Sequence, residues 1–154
     1  MELKHCRAIT LWEPWASLVA AKIKQCETRS WATDYRGPLL IHSAKRKPRS
    51  TELFRILQSV NHPRVEDVLK KVESGKTLGK VVAFADLTEC EYMTSQDLEK
   101  VSEDERVCGN WQVGRYAWEL QNVVALPGID AIGKQGLWIP DNDLLAKVIN
   151  ALAF

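Results

Sequence analysis

The stretch K-Q-C-E-T-R-S-W, residues 24–31, places a lysine, a glutamate and an arginine within six consecutive positions. If the part from Cys26 onward is a strand, alternation of side chains puts Glu27, Arg29 and Trp31 on one face. The carboxylate and the guanidinium are then neighbours on that face. The stretch therefore predicts a polar strand that carries an ion pair beside an aromatic ring.

Lys24 precedes this strand, at the end of a predicted helix, where a long flexible cation can reach the same face. A carboxylate acceptor, a planar bidentate donor, a mobile point charge and an aromatic plate together suit a small polar ring or a phosphate ester. An exposed edge strand with an ordinary ion pair would show the same residues. The charges alone leave both interpretations open.

Length and charge limit the classes of protein that the chain can belong to. Its 154 residues predict one domain over 1–154, long enough to bury its own core. A net charge of +1 means that any contact with nucleic acid must come from a local patch. No apolar run approaches membrane-spanning length and no leader-like segment is present, so we expect a soluble, cytoplasmic protein without a membrane partner.

The cysteines and tryptophans give two further indications. The four cysteines are scattered, with no C-x-x-C pair and no histidine at ligand spacing, so we expect free thiols, no metal site and no cofactor. The six tryptophans suit both core packing and base stacking, and composition does not separate these two roles.

Upstream of the polar stretch, Arg7–Trp12 reads as a short strand and Glu13–Ile23 as an amphipathic helix. Downstream, the apolar run Pro38–Ser43 predicts a buried strand. The segment Ala44–Arg49 follows directly and carries Lys45, Arg46, Lys47 and Arg49. Such a basic run is typical of a solvated loop, and a phosphate-binding patch would look the same.

The rest of the chain mixes helices and strands without β-α-β alternation. A helical insertion is predicted at about 50–74, between two strands. This order favours an α+β fold with a mainly antiparallel, partly closed sheet of about five to six strands. The predicted elements are helices over Thr51–Val60, Pro63–Val72, residues 94–104 and 140–152, strands over Lys80–Leu87 (continuing irregularly to Tyr92) and Tyr116–Leu126, and a glycine-punctuated segment over Gly133–Trp138.

Five ordered blocks of the sequence resemble the ASCH domain family, a branch of the PUA-like β-barrel superfamily, in its longer bacterial members. Lys24, Glu27 and Arg29 reproduce the K-x-x-E-x-R part of the family's GxKxxExR signature, and Lys22 stands at the position of the signature glycine. The other blocks are L-W-E-P-W-A-S-L (11–18), Y-R-G-P-L-L-I-H (35–42), G-R-Y-A-W-E-L (114–120) and G-K-Q-G-L-W (133–138).

The resemblance implies a PUA-like, partly closed antiparallel β-barrel with peripheral helices and a cleft that binds RNA, a nucleotide or a nucleoside. Some small bacterial members deacetylate N4-acetylcytidine with the signature lysine, a threonine and a glutamate, and others are reported as ribonucleases. Lys24 matches that lysine, the threonine falls by position on Glu27, and Glu89 and Glu91 are candidates for the glutamate. A hydrolase is therefore an alternative to a binding module, and a protein-interaction module is a third.

For binding, we expect Trp12, Lys24, Glu27, Arg29 and Lys45 to border one cleft. Lys24 and Glu27 are also the catalytic candidates. A charged Lys24 beside Glu27 suits an electrostatic role better than a nucleophilic one. The remaining candidates for contacts with the ligand are Trp31, His42, Arg46 and Tyr116, and for the tryptophans and His42 core packing is the alternative. We expect Trp118, inside an apolar strand, to be core. The oligomeric state is left open.

Overall fold

A computed structural model describes residues 3–153 of the protein, which form a six-stranded sheet with six helices packed around it. No helix in this range is long and apolar enough to span a bilayer. In chain order the elements are β1 (Arg7–Leu11), α1 (Trp15–Ala20), β2 (Cys26–Arg29), β3 (Gly37–Ser43), α2 (Ser50–Ser59), α3 (Val65–Glu73), β4 (Lys80–Tyr92), α4 (Ser95–Glu99), α5 (Glu103–Val107), β5 (Tyr116–Asp130), β6 (Leu137–Trp138) and α6 (Asn142–Leu152).

The sheet has the order β2-β5-β4-β3-β1-β6, and it curls into a half-barrel that stays open between β2 and β6. This confirms the predicted α+β fold with a partly closed, PUA-like sheet. One pair departs from the antiparallel expectation, because β1 and β3 run parallel and place Thr10 opposite His42. The other pairs among the described strands are antiparallel.

Strand β3 is almost fully buried because the sheet has a core on each face. Leu39 and Ile41 pack into the core that α1 covers, and Leu40 packs into the core under α6. Alternate side chains of an apolar run thus enter opposite layers, as in strands that are covered on both sides. Helices α2 and α3, which occupy the predicted insertion between β3 and β4, form a third core with Leu18 and Ile23.

Helix α1 ends in a turn that sets the direction of the polar stretch. Lys22 has a φ of 63°, its N–H donates to the Val19 carbonyl, and the Ile23 N–H donates to the Leu18 carbonyl. These two bonds form a Schellman motif, in which the left-handed position usually holds glycine. Lys22 therefore keeps the helix end that a glycine at this signature position would give, and the chain leaves it directly into β2.

Several predicted boundaries move by a few residues, and two change more. The predicted acidic helix at 94–104 is two short helices, each with its own cap: the Thr94 side chain caps α4 and the Ser102 side chain caps α5. Strand β5 continues past Leu126 to Asp130, which brings the glycine-punctuated segment back to β1. The division of the helix follows from local capping bonds, and the longer β5 follows from pairing with the distant β4, neither of which residue periodicity reports.

Candidate functional site

A cleft of about 690 Å³ opens where the carboxyl ends of β1 and β3 meet the segments that follow β2 and β5. Two tryptophans stand at this cleft, with Trp12 57% exposed and Trp31 36% exposed. The lining residues are Thr10, Trp12, Arg29, Trp31, His42, Ala44, Lys45 and Ala131 to Gly136. Within the described residues this lining holds the cations Arg29, Lys45 and Lys134 and no carboxylate, so it favours an anionic ligand.

The two tryptophans are held by different neighbours. Trp31 lies edge-on against the fully buried Trp118, with ring centroids 4.8 Å apart. The Arg46 guanidinium lies 4.2 Å from the centre of the Trp12 ring and 3.3 Å from a Glu52 carboxylate oxygen. Each ring is thus fixed on one side and available to a ligand on the cleft side. Trp118 is a core residue, as predicted.

Arg29 reaches the cleft through a defined set of acceptors. Its Nε lies 3.1 Å and its Nη2 3.0 Å from Glu27 Oε2, and Nη2 also donates to the Thr10 carbonyl at 3.3 Å. Strand alternation predicted that Glu27 and Arg29 share a face, and this is confirmed. The carboxylate orients the guanidinium, because two contacts to one oxygen restrict the rotation of the planar group.

Lys24 does not lie in the cleft, contrary to the prediction. Its side chain is 1% exposed, its Nζ donates to the Cys108 carbonyl, and Glu27 Oε1 lies 3.5 Å from Nζ. The Trp15 ring centre is 5.9 Å from the ammonium. A lysine that is held in this way is not a mobile charge over the strand face. Lys24 and Glu27 instead form a buried support behind Arg29.

His42 and Thr10 form a hydrogen-bonded pair in the cleft wall. His42 Nε2 lies 2.8 Å from the Ala131 carbonyl, so it carries the hydrogen, and Nδ1 accepts from the Thr10 hydroxyl at 3.1 Å. Thr10 Oγ1 in turn accepts from Trp138 Nε1 at 3.1 Å. Burial lowers the pKa of His42 below its ordinary 6.5, and its bond to the Ala131 carbonyl opposes this in part. The imidazole is therefore neutral at neutral pH.

Glycines allow two close approaches around the cleft. A Cβ on Gly133 would lie 2.7 Å from His42 Nδ1 and 2.7 Å from Thr10 Oγ1, so only glycine fits against this pair. A Cβ on Gly79 would lie 3.0 Å from the side chain of Lys45, whose aliphatic part rests on the glycine. Lys45 thus extends along the strand end, where its ammonium can meet a ligand.

The structure brings most, but not all, of the predicted site residues together. The lining contains Trp12, Arg29, Trp31, His42 and Lys45. Arg46 is on the rim, stacked on Trp12. Outside the lining are Lys24 and Glu27, which are behind the cleft, and Tyr116, which pairs with Arg29 in the sheet and packs edge-on against Tyr92.

The glutamates suggested as a catalytic partner are not at the cleft. Glu89 and Glu91 line a separate cavity with Cys26, Asp97 and Glu119. Neither residue shares this cavity with Lys24, so the predicted lysine–glutamate arrangement is not assembled here. All four cysteines are free thiols. Within residues 3–153, no cluster of three His, Cys, Asp or Glu side chains could hold a metal ion.

Thr10, Ala131 and Ile132 line the cleft but were not predicted from the sequence. Thr10 is the one hydroxyl in an apolar strand, R-A-I-T-L, which is a weak signal of its position on a cleft wall. The parallel pairing of β1 with β3 is what brings it to His42. In the structure the Gly133 backbone lies against His42 and Thr10, where a Cβ would lie too close to both side chains.

Comparison with known proteins agrees with this architecture. A family model described as ASCH domain matches residues 9–129. The human protein "Activating signal cointegrator 1" is 32% identical over 82 residues, and the mouse protein of the same name is 30% identical over 82 residues. Each match covers 53% of this chain and 14% of the relative, so the chain spans a small part of these relatives.

Solved structures of an ASCH protein from Zymomonas mobilis share the fold. One has a TM-score of 0.55 at 12% identity and covers 94% of both chains. A serine-to-alanine variant of the same protein has a TM-score of 0.57 at 12% identity and covers 97% of this chain and 98% of that one. At this identity the likeness concerns the fold alone.

Proposed function

We propose that this chain, which belongs to the ASCH domain family, binds RNA or a nucleotide in the cleft between Trp12, Trp31 and Arg29. A base would stack on one or both tryptophans, and the phosphate would meet Arg29 and Lys45. The observation that carries the proposal is the described lining itself, which combines two accessible indole rings with three cations and no carboxylate. Stacking platforms beside cationic grooves are the usual means of binding single-stranded nucleic acid.

The ion-pair chain behind the cleft supports this role. Lys24 holds Glu27 from the interior, Glu27 orients Arg29, and Arg29 also bonds to the Thr10 carbonyl. A guanidinium oriented before the ligand arrives loses less conformational entropy on binding a phosphate. In this proposal the K-x-x-E-x-R signature acts through one arginine that contacts the ligand and two residues that position it.

The test is titration of single-stranded RNA and of nucleoside monophosphates against the full chain at several salt concentrations. Trp12→Ala should weaken binding because one base no longer stacks, by about 1–3 kcal/mol. Phe54→Ala is the matched control, because Phe54 is 60% exposed and lies on α2 away from the cleft.

The charged contact has a matched pair of its own. Lys45→Ala should reduce the slope of log K against log salt by about 0.7, the value for one phosphate that is no longer neutralised. Lys47→Ala removes an exposed lysine two positions away that does not line the cleft, and should leave the slope unchanged. Wild-type affinity for RNA and nucleotides that neither Trp12→Ala nor Lys45→Ala alters would refute the proposal.

One arrangement favours hydrolysis as a second candidate function. The Thr10 hydroxyl donates to His42 Nδ1, and His42 is oriented by the Ala131 carbonyl, which is the geometry of a hydroxyl beside its base. We propose that, if the chain hydrolyses N4-acetylcytidine, His42 Nδ1 accepts the Thr10 hydroxyl proton as Thr10 Oγ1 attacks the acetyl carbonyl. The proton then passes to the leaving amino group of cytidine, and water releases acetate from Thr10. Turnover that is lost in His42→Gln and Thr10→Val, with RNA binding retained, would support this candidate. Turnover that survives both changes would exclude it.

A further inference from the structure

A second cavity, of about 240 Å³, lies between the end of α1, helix α3 and strands β4 and β5. Its polar lining is dominated by cations. Arg64, Lys71, Lys76 and Lys80 line it, and no carboxylate of the described residues does. The remaining lining residues are Ser17, Ala20, Ala21, Val68, Thr77, Val82 and the segment from Ala125 to Gly128.

The cations around this cavity exceed the carboxylates that contact its lining. Lys80 pairs with Asp130 at 3.1 Å. Glu13 is fully buried behind the cavity, where its carboxylate accepts from Ser17 and from the Thr77 hydroxyl. Among the described residues, one of the four cations, Lys80, is therefore paired with a carboxylate, and the other three are not.

Arg64, Lys71 and Lys76 are exposed, and within residues 3–153 neither lysine has a carboxylate at salt-bridge distance. The Arg64 guanidinium is fixed by a bond to the Ala21 carbonyl. One oriented guanidinium with two exposed ammonium groups around a concave floor suits an anion with several oxygens, such as a phosphodiester.

The second cavity adjoins the cleft across the segment from Lys76 to Lys80. Lys76 and Lys80 face the cavity, whereas Gly79 supports the aliphatic part of Lys45, which lines the cleft. The Ala131 N–H donates to the Gly79 carbonyl at 3.2 Å, which joins the cleft wall to the same segment. Gly79 therefore lies between the two concavities, in contact with Lys45 of the cleft and adjacent in sequence to Lys80 of the second cavity.

We infer that this second cavity binds the sugar–phosphate backbone of a single-stranded nucleic acid whose base occupies the cleft. The inference rests on the proposed function and extends it: the ligand is a strand that runs over Lys45 and Lys80 toward Lys71 and Lys76. It is not a lone nucleotide. Phosphate contacts without base contacts add affinity that depends on salt and not on sequence.

The experiment compares a nucleoside monophosphate with a single-stranded RNA of about 12 residues, a length within the ~4–16 nucleotides that compact single-strand binders cover. The variant is the double substitution Lys71→Ala with Lys76→Ala in the full chain. For the long RNA, the slope of log K against log salt should fall by about 1.4, because each phosphate that a lysine neutralises adds about 0.7 to the slope. Affinity for the monophosphate should stay at the wild-type value.

The matched control is Lys70→Ala with Lys147→Ala. It removes the same charge from two exposed lysines that line neither concavity, and it should leave the slope for the long RNA unchanged. A Lys71→Ala, Lys76→Ala variant that binds the long RNA with the wild-type affinity and slope would overturn the inference. So would an acidic peptide of equal charge that binds wild type as tightly and loses affinity in the same variant, because the surface would then select charge and not a nucleic-acid backbone.

The two proposals fail separately. If Trp12→Ala and Lys45→Ala leave monophosphate binding intact, the cleft assignment fails, whatever the second cavity does. If those variants weaken binding and the Lys71→Ala, Lys76→Ala variant does not, the cleft stands and the second cavity takes no part.

Discussion

The ammonium of Lys24 lies 3.5 Å from the Glu27 carboxylate in the protein interior, and the same carboxylate holds Arg29 at the cleft. Lys24 also donates to the Cys108 carbonyl, 84 positions later in the sequence. A residue that looks like a ligand-binding lysine in the sequence thus connects three elements of the fold. Within this one signature, Lys24 therefore stabilises the fold, and Arg29 is the residue available to a ligand.

Lys24→Met should therefore lower the free energy of unfolding, because Lys24 supports the fold and is not itself at the cleft. Removing one partner of a buried ion pair leaves a carboxylate with less compensation and typically costs about 3–5 kcal/mol. Urea denaturation measures this decrease in stability. Lys70→Met is the control, since Lys70 forms an exposed pair with Glu66 at 3.2 Å, and such pairs contribute about 0–1 kcal/mol.

A second variant makes the test of Lys24 specific. Lys24→Met combined with Glu27→Gln removes the uncompensated charge and should recover part of the stability. If Lys24→Met denatured at the wild-type urea concentration and bound RNA more weakly, Lys24 would be a ligand contact and the buried-support interpretation would be wrong.

Gly133→Ala should disturb the cleft wall. Its Cβ would lie 2.7 Å from both His42 Nδ1 and Thr10 Oγ1, and His42 cannot retreat without weakening its bond to the Ala131 carbonyl. Overpacking of this kind costs about 1–3 kcal/mol. Thermal unfolding measures the change. A melting temperature equal to that of wild type would show that the cleft wall accommodates the added methyl group without losing stability, contrary to this prediction.

Gly136→Asn is the control for Gly133→Ala in the same loop. Apart from residue 136 and its two chain neighbours, no atom of the described residues lies within 4 Å of a Cβ at position 136, and asparagine tolerates the φ of 68° found there. We expect a small change in melting temperature, clearly less than that of Gly133→Ala.

His42 should make the fold less stable in mild acid. Burial lowers its pKa in the folded protein, so below about 6.5 the unfolded chain binds a proton more readily than the folded one. The free energy of unfolding is therefore highest above that pH, and it declines as the pH falls toward the lowered pKa of His42 in the folded state. Denaturant unfolding between about pH 7.5 and about pH 5, a range that brackets the ordinary pKa of histidine, measures the slope.

The comparison that isolates His42 is between variants. His42→Gln should flatten the dependence of the unfolding free energy on pH, and His5→Gln, at an exposed histidine, should retain it. Glu105 gives the unfolding free energy the opposite dependence on pH. Burial raises the pKa of Glu105 in the folded protein, so its protonated form stabilises the fold, and this stabilisation is lost as the pH rises. Equal slopes in wild type and His42→Gln would contradict the assignment of the acid sensitivity to His42.

The order and type of most elements could be predicted from the sequence because each depends on local periodicity. The apolar run of β3 and the amphipathic pattern of α1 needed no knowledge of their neighbours. The shared face of Glu27 and Arg29 was likewise a matter of strand alternation.

The site was harder to predict because it depends on contacts between distant parts of the chain. Lys24 becomes a buried residue through the Cys108 carbonyl, and no pattern within residues 24–31 reports that acceptor. Thr10 becomes part of the cleft through the parallel pairing of β1 with β3 and through Trp138. Local sequence therefore identified the arginine and the tryptophans of the cleft and misplaced the lysine.

Lys22 occupies the left-handed end of α1 with a φ of 63°. A side chain in this conformation is unfavourable by roughly 1–2 kcal/mol, and glycine avoids the strain. Glycine also makes the unfolded chain more flexible, which offsets about 0.4–1 kcal/mol of the gain. Lys22→Gly should therefore stabilise the protein by about 0.5–1 kcal/mol, seen as a higher urea midpoint with an unchanged m-value.

Asn122→Gly provides the comparison, because Asn122 has a φ of 53° and asparagine adopts that region more readily than lysine. Its effect should be smaller than that of Lys22→Gly or of opposite sign. Lys22→Val should destabilise, since a β-branched side chain is least tolerant of a positive φ. If Lys22→Gly lowered the midpoint while Lys22→Val left it unchanged, the left-handed turn would not limit the stability of this helix end. The lysine side chain would then stabilise the folded protein by more than its positive φ destabilises it.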